Sequence, residues 1–196
     1  MGQILVLYYS LNGGTKKLAY KIAQGAQQNG CDVIIRTVPK VSNGFDELQP
    51  SVPEEGDPYV TLDELSQCSG LALGSPTRFG NMSGAMKYFL DSTVSQWVSG
   101  SLIGKPACVF TSTSSLHGGQ ETTLLSMMIP LLHHGMVVTG IPYSEPNLHT
   151  TRSGGTPYGA THVSYQQTTE LSIEESELAI AQGKHLARIA KQLGQA

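Results

Sequence analysis

Short runs of consecutive apolar residues alternate along the chain with longer stretches in which apolar positions return every three or four residues. Residues 4–9 (Ile4-Leu5-Val6-Leu7-Tyr8-Tyr9) are apolar and β-favouring throughout, the form of a strand buried on both faces of a parallel sheet. After the turn Ser10-Leu11-Asn12-Gly13-Gly14, the apolar positions Leu18, Ala19, Ile22, Ala23 and Ala26 follow helical spacing, and Asn29-Gly30 supplies a stop. Residues 32–37 (D-V-I-I-R-T) form a second strand, so the first unit is βαβ with a right-handed crossover. The polar stretch 40–58, with Pro50, Pro53 and Pro58, reads as an excursion over the surface. Thr61 with Glu64 makes a capping box for a short helix. A strand over 70–74, a loop over 75–81 and a helix carrying Met82, Met86, Phe89 and Leu90 come next. A Gly/Ser-rich segment over 94–105 holds Trp97 and leads to a strand over 107–111 and a polar loop over 112–120. Residues 121–134 are helical, with Pro130 expected to kink them, and 136–140 make a fifth strand. Residues 141–167 read as loop, and Ser172 with Glu175 opens an amphipathic helix that runs to about Leu193.

Five short strands alternating with helices predict an α/β fold, a doubly wound parallel five-stranded sheet of order 2-1-3-4-5 with helices on both faces. The 196 residues make a single domain, 1–196, long enough to hold a core without disulfide or metal staples. Cys31, Cys68 and Cys108 are odd in number and never in a CxxC spacing, so neither a disulfide framework nor a metal site is written here. The absence of a signal segment and of any apolar stretch long enough to span a bilayer points to a cytoplasmic protein with no integral membrane segment. A formal net charge of -3 without a Lys/Arg run removes the attraction on which most nucleic-acid binding rests, so nucleic acid is not an expected partner.

Sheets of this order bind ligands at the carboxyl ends of their strands, and three loops rich in Ser, Thr and Gly meet there. The first carries Ser10, Leu11, Asn12, Gly13, Gly14 and Thr15 and enters a helix, so its N–H groups, hydroxyls and helix dipole converge as a cradle for one phosphate. By itself, Ser10-x-x-Gly13-x-Thr15 also reads as an ordinary Ser/Gly-rich βα turn. Neither G-x-G-x-x-G nor G-x-x-x-x-G-K-[ST] is present, which leaves out a dinucleotide fingerprint and a Walker loop. The second loop holds Pro76, Thr77, Arg78, Phe79 and Gly80, suited to border a flat heteroaromatic ring. The third runs from Ser112 to Gly119 and adds further hydroxyls. With no catalytic triad or paired carboxylates, these loops point to a bound cofactor that carries the chemistry, and FMN fits a single phosphate cradle. A response regulator would need acidic residues where the first strand ends Leu7-Tyr8-Tyr9.

The strings Leu5-Val6-Leu7-Tyr8-Tyr9-Ser10, Gly74-Ser75-Pro76-Thr77-Arg78-Phe79-Gly80-Asn81-Met82, Gly118-Gly119-Gln120-Glu121-Thr122, His133-His134-Gly135-Met136-Val137 and Gly154-Gly155-Thr156-Pro157-Tyr158-Gly159-Ala160 resemble the WrbA family of FMN-dependent NAD(P)H:quinone oxidoreductases nearly end to end. That resemblance implies a flavodoxin-like homotetramer, a dimer of dimers, that passes two electrons from NADH or NADPH through FMN to a quinone substrate and yields the hydroquinone. It implies that residues 10–15 bind the phosphate and that Pro76, Thr77, Arg78, Phe79 and Gly80 border the isoalloxazine. Ser112, Thr113, Ser114, Ser115, Leu116 and His117 would complete the pocket. His133 and Trp97 would line the open face of the flavin where the quinone binds, partly from neighbouring subunits. The chain departs from the family at Asn12, where many members carry an aromatic residue, and near Gly14, where many carry a histidine or another polar side chain.

Without the resemblance, His133 reads as a packing residue on an apolar helix and Trp97 as an anchor for its segment. His134, about 100° further round the helix, reads as structural. The alternative function is a flavodoxin-type electron carrier, which needs a strongly charged docking face; 14% charged residues and a net charge of -3 argue against it.

Overall fold

Ile4, Val6 and Tyr8 face one side of the sheet and Leu5 and Leu7 the other, which is why this strand is apolar at successive positions. It is β1 (Gln3–Tyr8), followed in the chain by α1 (Gly14–Gln28), β2 (Asp32–Thr37), α2 (Leu62–Gln67), β3 (Gly70–Pro76) and α3 (Gly84–Asp91). After these come α4 (Val94–Ser99), β4 (Pro106–Thr113), α5 (Gln120–His133), β5 (Val137–Val138), α6 (Asn147–Thr150), β6 (Thr161–Val163) and α7 (Ile173–Leu193). The structure, a computed structural model, describes residues 2–41, 53, 55–165 and 169–194. The excursion expected over 40–58 falls largely on residues 42–52 and 54, outside the described residues.

The sheet is parallel, with the expected order β2-β1-β3-β4-β5. Each central strand splits its side chains as β1 does: Ala72, Cys108 and Phe110 join the core under α1 and α7, while Leu71, Leu73, Ala107 and Val109 join the core under α2, α3 and α5. On the first side, α7 lies so close to α1 that a Cβ on Gly25 would sit 2.0 Å from the Ile180 carbonyl oxygen, and one on Gly183 would sit 2.0 Å from that of Ile22. On the second side Met86, Phe89, Leu124 and Met127 fill the space over the sheet. Both expected capping boxes are present. Thr61 and Glu64 cap α2, and Ser172 and Glu175 cap α7.

Several elements differ from expectation. β4 runs two residues further, because its upper half pairs with β6 through Thr111↔Thr161, Ser112↔His162 and Thr113↔Val163. Ser112 and Thr113 are therefore strand residues, not loop residues. The sixth strand, β6, lies within the stretch read as loop, and β5 is only two residues long, pairing with Pro106 and Ala107 at the other end of β4. Trp97 sits on α4, a short helix ended by Gly100 at φ +68°, where the Gly/Ser content predicted irregular chain. Met82 precedes α3, whose N-cap is Ser83. Pro130 lies inside α5. Among the described residues, no helix is long and apolar enough to cross a membrane.

Candidate functional site

The carboxyl ends of β1, β3 and β4 open into a cleft of about 910 Å³. Ser10, Leu11, Asn12, Gly14 and Thr15 line one side. Gly13, at φ +93°, is the N-cap of α1, and no side chain caps this helix; the Gly13 N–H donates instead to Ser10 Oγ at 3.1 Å. The first N–H groups of α1 thus start at the cleft wall without the capping oxygen that most helices provide, an arrangement suited to an external anion. Thr15 Oγ1 lies 2.7 Å from Ser112 Oγ, which ties the start of α1 to β4.

Pro76, Thr77, Arg78 and Phe79 line a second side. The Thr77 N–H donates to the Ser112 carbonyl at 2.9 Å, so this loop leaves β3 still paired with β4. Reciprocal bonds between Arg78 and Asn81, 2.7 and 3.0 Å, close a tight turn with Phe79 at φ +54° and Gly80 at φ +76°. A phenylalanine held in the left-handed region costs about 1–2 kcal/mol, and its ring is fully exposed. Ser112, Thr113, Ser114, Ser115 and Gly118 form the third side. The second and third loops meet back to back: a Cβ on Gly119, itself at φ +89°, would lie 2.9 Å from Gly80 Cα. Gln120 braces the third loop from below, donating to Thr113 Oγ1 at 3.0 Å while accepting from Thr161 Oγ1 at 2.6 Å.

Beneath this floor lies a buried, hydrogen-bonded His–Glu pair that no sequence pattern singled out. His162 Nδ1 is 2.7 Å from Glu175 Oε2, and both side chains are 1% exposed. Glu175 also accepts the N–H groups of Gly154 at 2.9 Å, Val163 at 3.0 Å and Ser172 at 3.0 Å. Burial pushes its carboxyl pKa up, but the hydrogen bond from His162 and the backbone bonds from Val163 and Ser172 outweigh it and hold the pKa below the usual carboxylate range.

Trp97 and His133 do not line this cleft. They line a second cavity of about 570 Å³ with Asn81, Met82, Val94 and Ile129. The two cavities flank one turn, since Arg78 and Phe79 face the first and Asn81 the second. His134, at the back of the second cavity, bonds through Nε2 to Thr93 Oγ1 at 2.9 Å, while its buried Nδ1 has no partner. Burial, with the neighbouring His133 charge, pushes the His134 pKa down.

Of the residues expected at the cofactor, Gly13, Gly80, Leu116, His117 and His133 do not line the cleft. Gly13 and Gly80 shape turns behind it, and Leu116 is an exposed residue of the third loop. Gly118, Ser164 and Thr169 line it without having been singled out for contact. Ser164 directly follows β6, so finding it required the sixth strand. Among the described residues, the lining includes one cation, Arg78, and no carboxylate, and it is dominated by hydroxyl groups. Such a lining fits an anionic ligand the size of a mononucleotide.

The chain matches the NADPH-dependent FMN reductase family over residues 3–147. It is 44% identical to an NAD(P)H dehydrogenase (quinone) of Geotalea daltonii, with 97% of this chain and 98% of that protein aligned. Its identity to the protein of that name from Geotalea uraniireducens is 42%, with the same coverage. Among solved structures, it resembles a flavodoxin, WrbA-like protein of Agrobacterium tumefaciens, with a TM-score of 0.73 and 22% identity over 98% of this chain and 99% of that one.

Proposed function

The chain belongs to the NADPH-dependent FMN reductase family, and from that premise we propose that it is an FMN-dependent NAD(P)H:quinone oxidoreductase that reduces quinones by two electrons to hydroquinones. The observation that carries this reading is the cleft: three strand-end loops, an uncapped helix start and no carboxylate, at the switch point of a doubly wound sheet. When bound, FMN would supply the two-electron redox chemistry between NADH or NADPH and the quinone. The protein binds and orients. Ser10, Thr15 and the first N–H groups of α1 hold the phosphate, with Gly14 keeping that wall free of a side chain. Pro76, Thr77, Arg78 and Phe79 border the ring system, and the guanidinium of Arg78 supplies positive charge near it. Ser112, Thr113, Ser114 and Ser115 close the third side.

His133 and Trp97 form the quinone-facing surface, completed by neighbouring copies in a homotetramer. Val94, Trp97 and Ile129, which line the second cavity, are more than half exposed, as are Val98, Ile103 and Leu132, apolar surface that assembly would cover. A cytoplasmic location fits the three buried, unbridged cysteines Cys31, Cys68 and Cys108.

His133→Ala tests the division of labour between the two cavities. Its kcat/KM for benzoquinone is expected to fall about 10-fold, equivalent to about 1.4 kcal/mol, while its FMN dissociation constant stays within a factor of about 2. Equal losses in both would place His133 in cofactor binding instead. Sedimentation of the FMN-loaded protein is expected to give the mass of four copies; the mass of one copy contradicts the assembly.

A further inference from the structure

We propose that His162 is a positioning residue for the phosphate end of the cleft, acting through Gly14 and held in place by Glu175. This rests on the FMN reading of the cleft.

His162 is fully buried and does not line the cleft, so it cannot touch a ligand there directly. It stands beside Ser112 across the β4–β6 ladder, and Ser112 does line the cleft. The Glu175 carboxylate, already receiving three backbone N–H groups and with its pKa held low, is an acceptor, so His162 Nδ1 carries the proton between them. That bond fixes the ring plane and turns the opposite edge, Cδ2 and Nε2, toward the first residue of α1. A Cβ on Gly14 would lie 2.8 Å from His162 Cδ2, 3.5 Å from Nε2 and 3.5 Å from Ser112 Cβ. The imidazole therefore fills the space that a side chain at position 14 would occupy.

Gly14 and His162 are complementary: one gives up its side chain and the other supplies the surface on which the helix start rests. This support sets the height of the first α1 N–H groups relative to the Thr15 and Ser112 hydroxyls, which meet at 2.7 Å. An anion cradle of N–H groups and hydroxyls is sensitive to such placement, because displacement by a few tenths of an ångström lengthens several charge-assisted bonds together. The two positions thus act as a unit on phosphate and leave the ring-bordering loop over 76–80 alone.

FMN and riboflavin share the ring and differ in the phosphate, so the ratio of their dissociation constants isolates this end of the cleft. The experiment titrates both flavins by fluorescence quenching into the full-length apoprotein and into His162→Asn, His162→Ala, Gly14→Ala and the double variant Gly14→Ala/His162→Ala. Asn keeps a donor near the Nδ1 position for Glu175 and lacks the Cδ2–Nε2 edge, so it retains the fold where Ala leaves the buried carboxylate short of a partner. His162→Asn and Gly14→Ala are each expected to weaken FMN about 10-fold and riboflavin less than about 2-fold. The double variant is expected to bind FMN more tightly than Gly14→Ala alone, since removing the ring makes room for the new methyl group. Equal weakening of both flavins, no change in either, or additive losses in the double variant would each overturn the assignment. Wild-type protein that binds riboflavin and FMN equally would overturn it as well, whereas wild-type protein that binds neither flavin would overturn the FMN reading itself.

Discussion

Gly183→Val is expected to destabilise the fold by about 3 kcal/mol or more and to lower the melting temperature by roughly 6–12 °C. The cause is a backbone contact that cannot be repacked. Gly183 lies where α7 crosses α1, and its missing Cβ would sit 2.0 Å from the Ile22 carbonyl oxygen, with Ala26 N a further 3.0 Å neighbour. Gly25 makes the reciprocal approach to the Ile180 carbonyl. A side chain at either site forces the helices apart and opens the core that Ile22, Ala26, Ala179 and Leu186 close over β1. Gly84→Ala is the control: Gly84 is the first residue of α3 and has open space where its Cβ would lie, so its change should stay within about 0.5 kcal/mol. Thermal melts followed by far-UV circular dichroism read both variants. A Gly183→Val melt within about 2 °C of wild type would show that α1 and α7 are not packed this closely.

Gly119→Val should leave the fold largely intact and weaken FMN about 10- to 100-fold, equivalent to about 1.4–2.8 kcal/mol. Gly119 sits at φ +89°, a left-handed conformation that costs a β-branched residue at least about 1–2 kcal/mol. Its Cβ would also press on Gly80 Cα at 2.9 Å and on Thr122 Oγ1 at 3.1 Å. The second loop must then move away from the third, and with it Arg78 and Phe79, which border the cleft. A fluorescence titration reads the affinity; an unchanged FMN dissociation constant would mean that the contact between these loops does not shape the binding site.

The parts of this molecule that could be read from sequence are those in which local chemistry and burial agree. β1 and β2 are short apolar runs, α1 has a clean apolar stripe, and the capping boxes at Thr61–Glu64 and Ser172–Glu175 are local signals that need no tertiary partner. β6 has no such signal. Thr161-His162-Val163 is three residues long and mostly polar, and it becomes a strand because the upper half of β4 offers it a free edge. Missing β6 left Ser112 and Thr113 as loop, left Ser164 out of the cleft and hid His162. α4 was masked by its serines, since its apolar residues Val94, Trp97 and Val98 face outward and leave little amphipathic pattern. The resemblance places Leu116 and His117 at the pocket with the rest of the third loop, and only the path of that loop shows that they do not line the cleft. Glu175 was legible as a helix cap, but its second role, holding His162, depends on a strand thirteen residues earlier in the chain.

The most direct measurement is the oxidation of NADH and NADPH by purified protein in the presence of benzoquinone, followed by nucleotide absorbance, with FMN first removed and then restored. Turnover that vanishes with the flavin and returns with it is the predicted result, and the ratio of the two nucleotide rates gives the donor preference. Tight FMN binding with no turnover from either nucleotide would contradict the oxidoreductase reading, as would nucleotide oxidation that proceeds equally well without FMN.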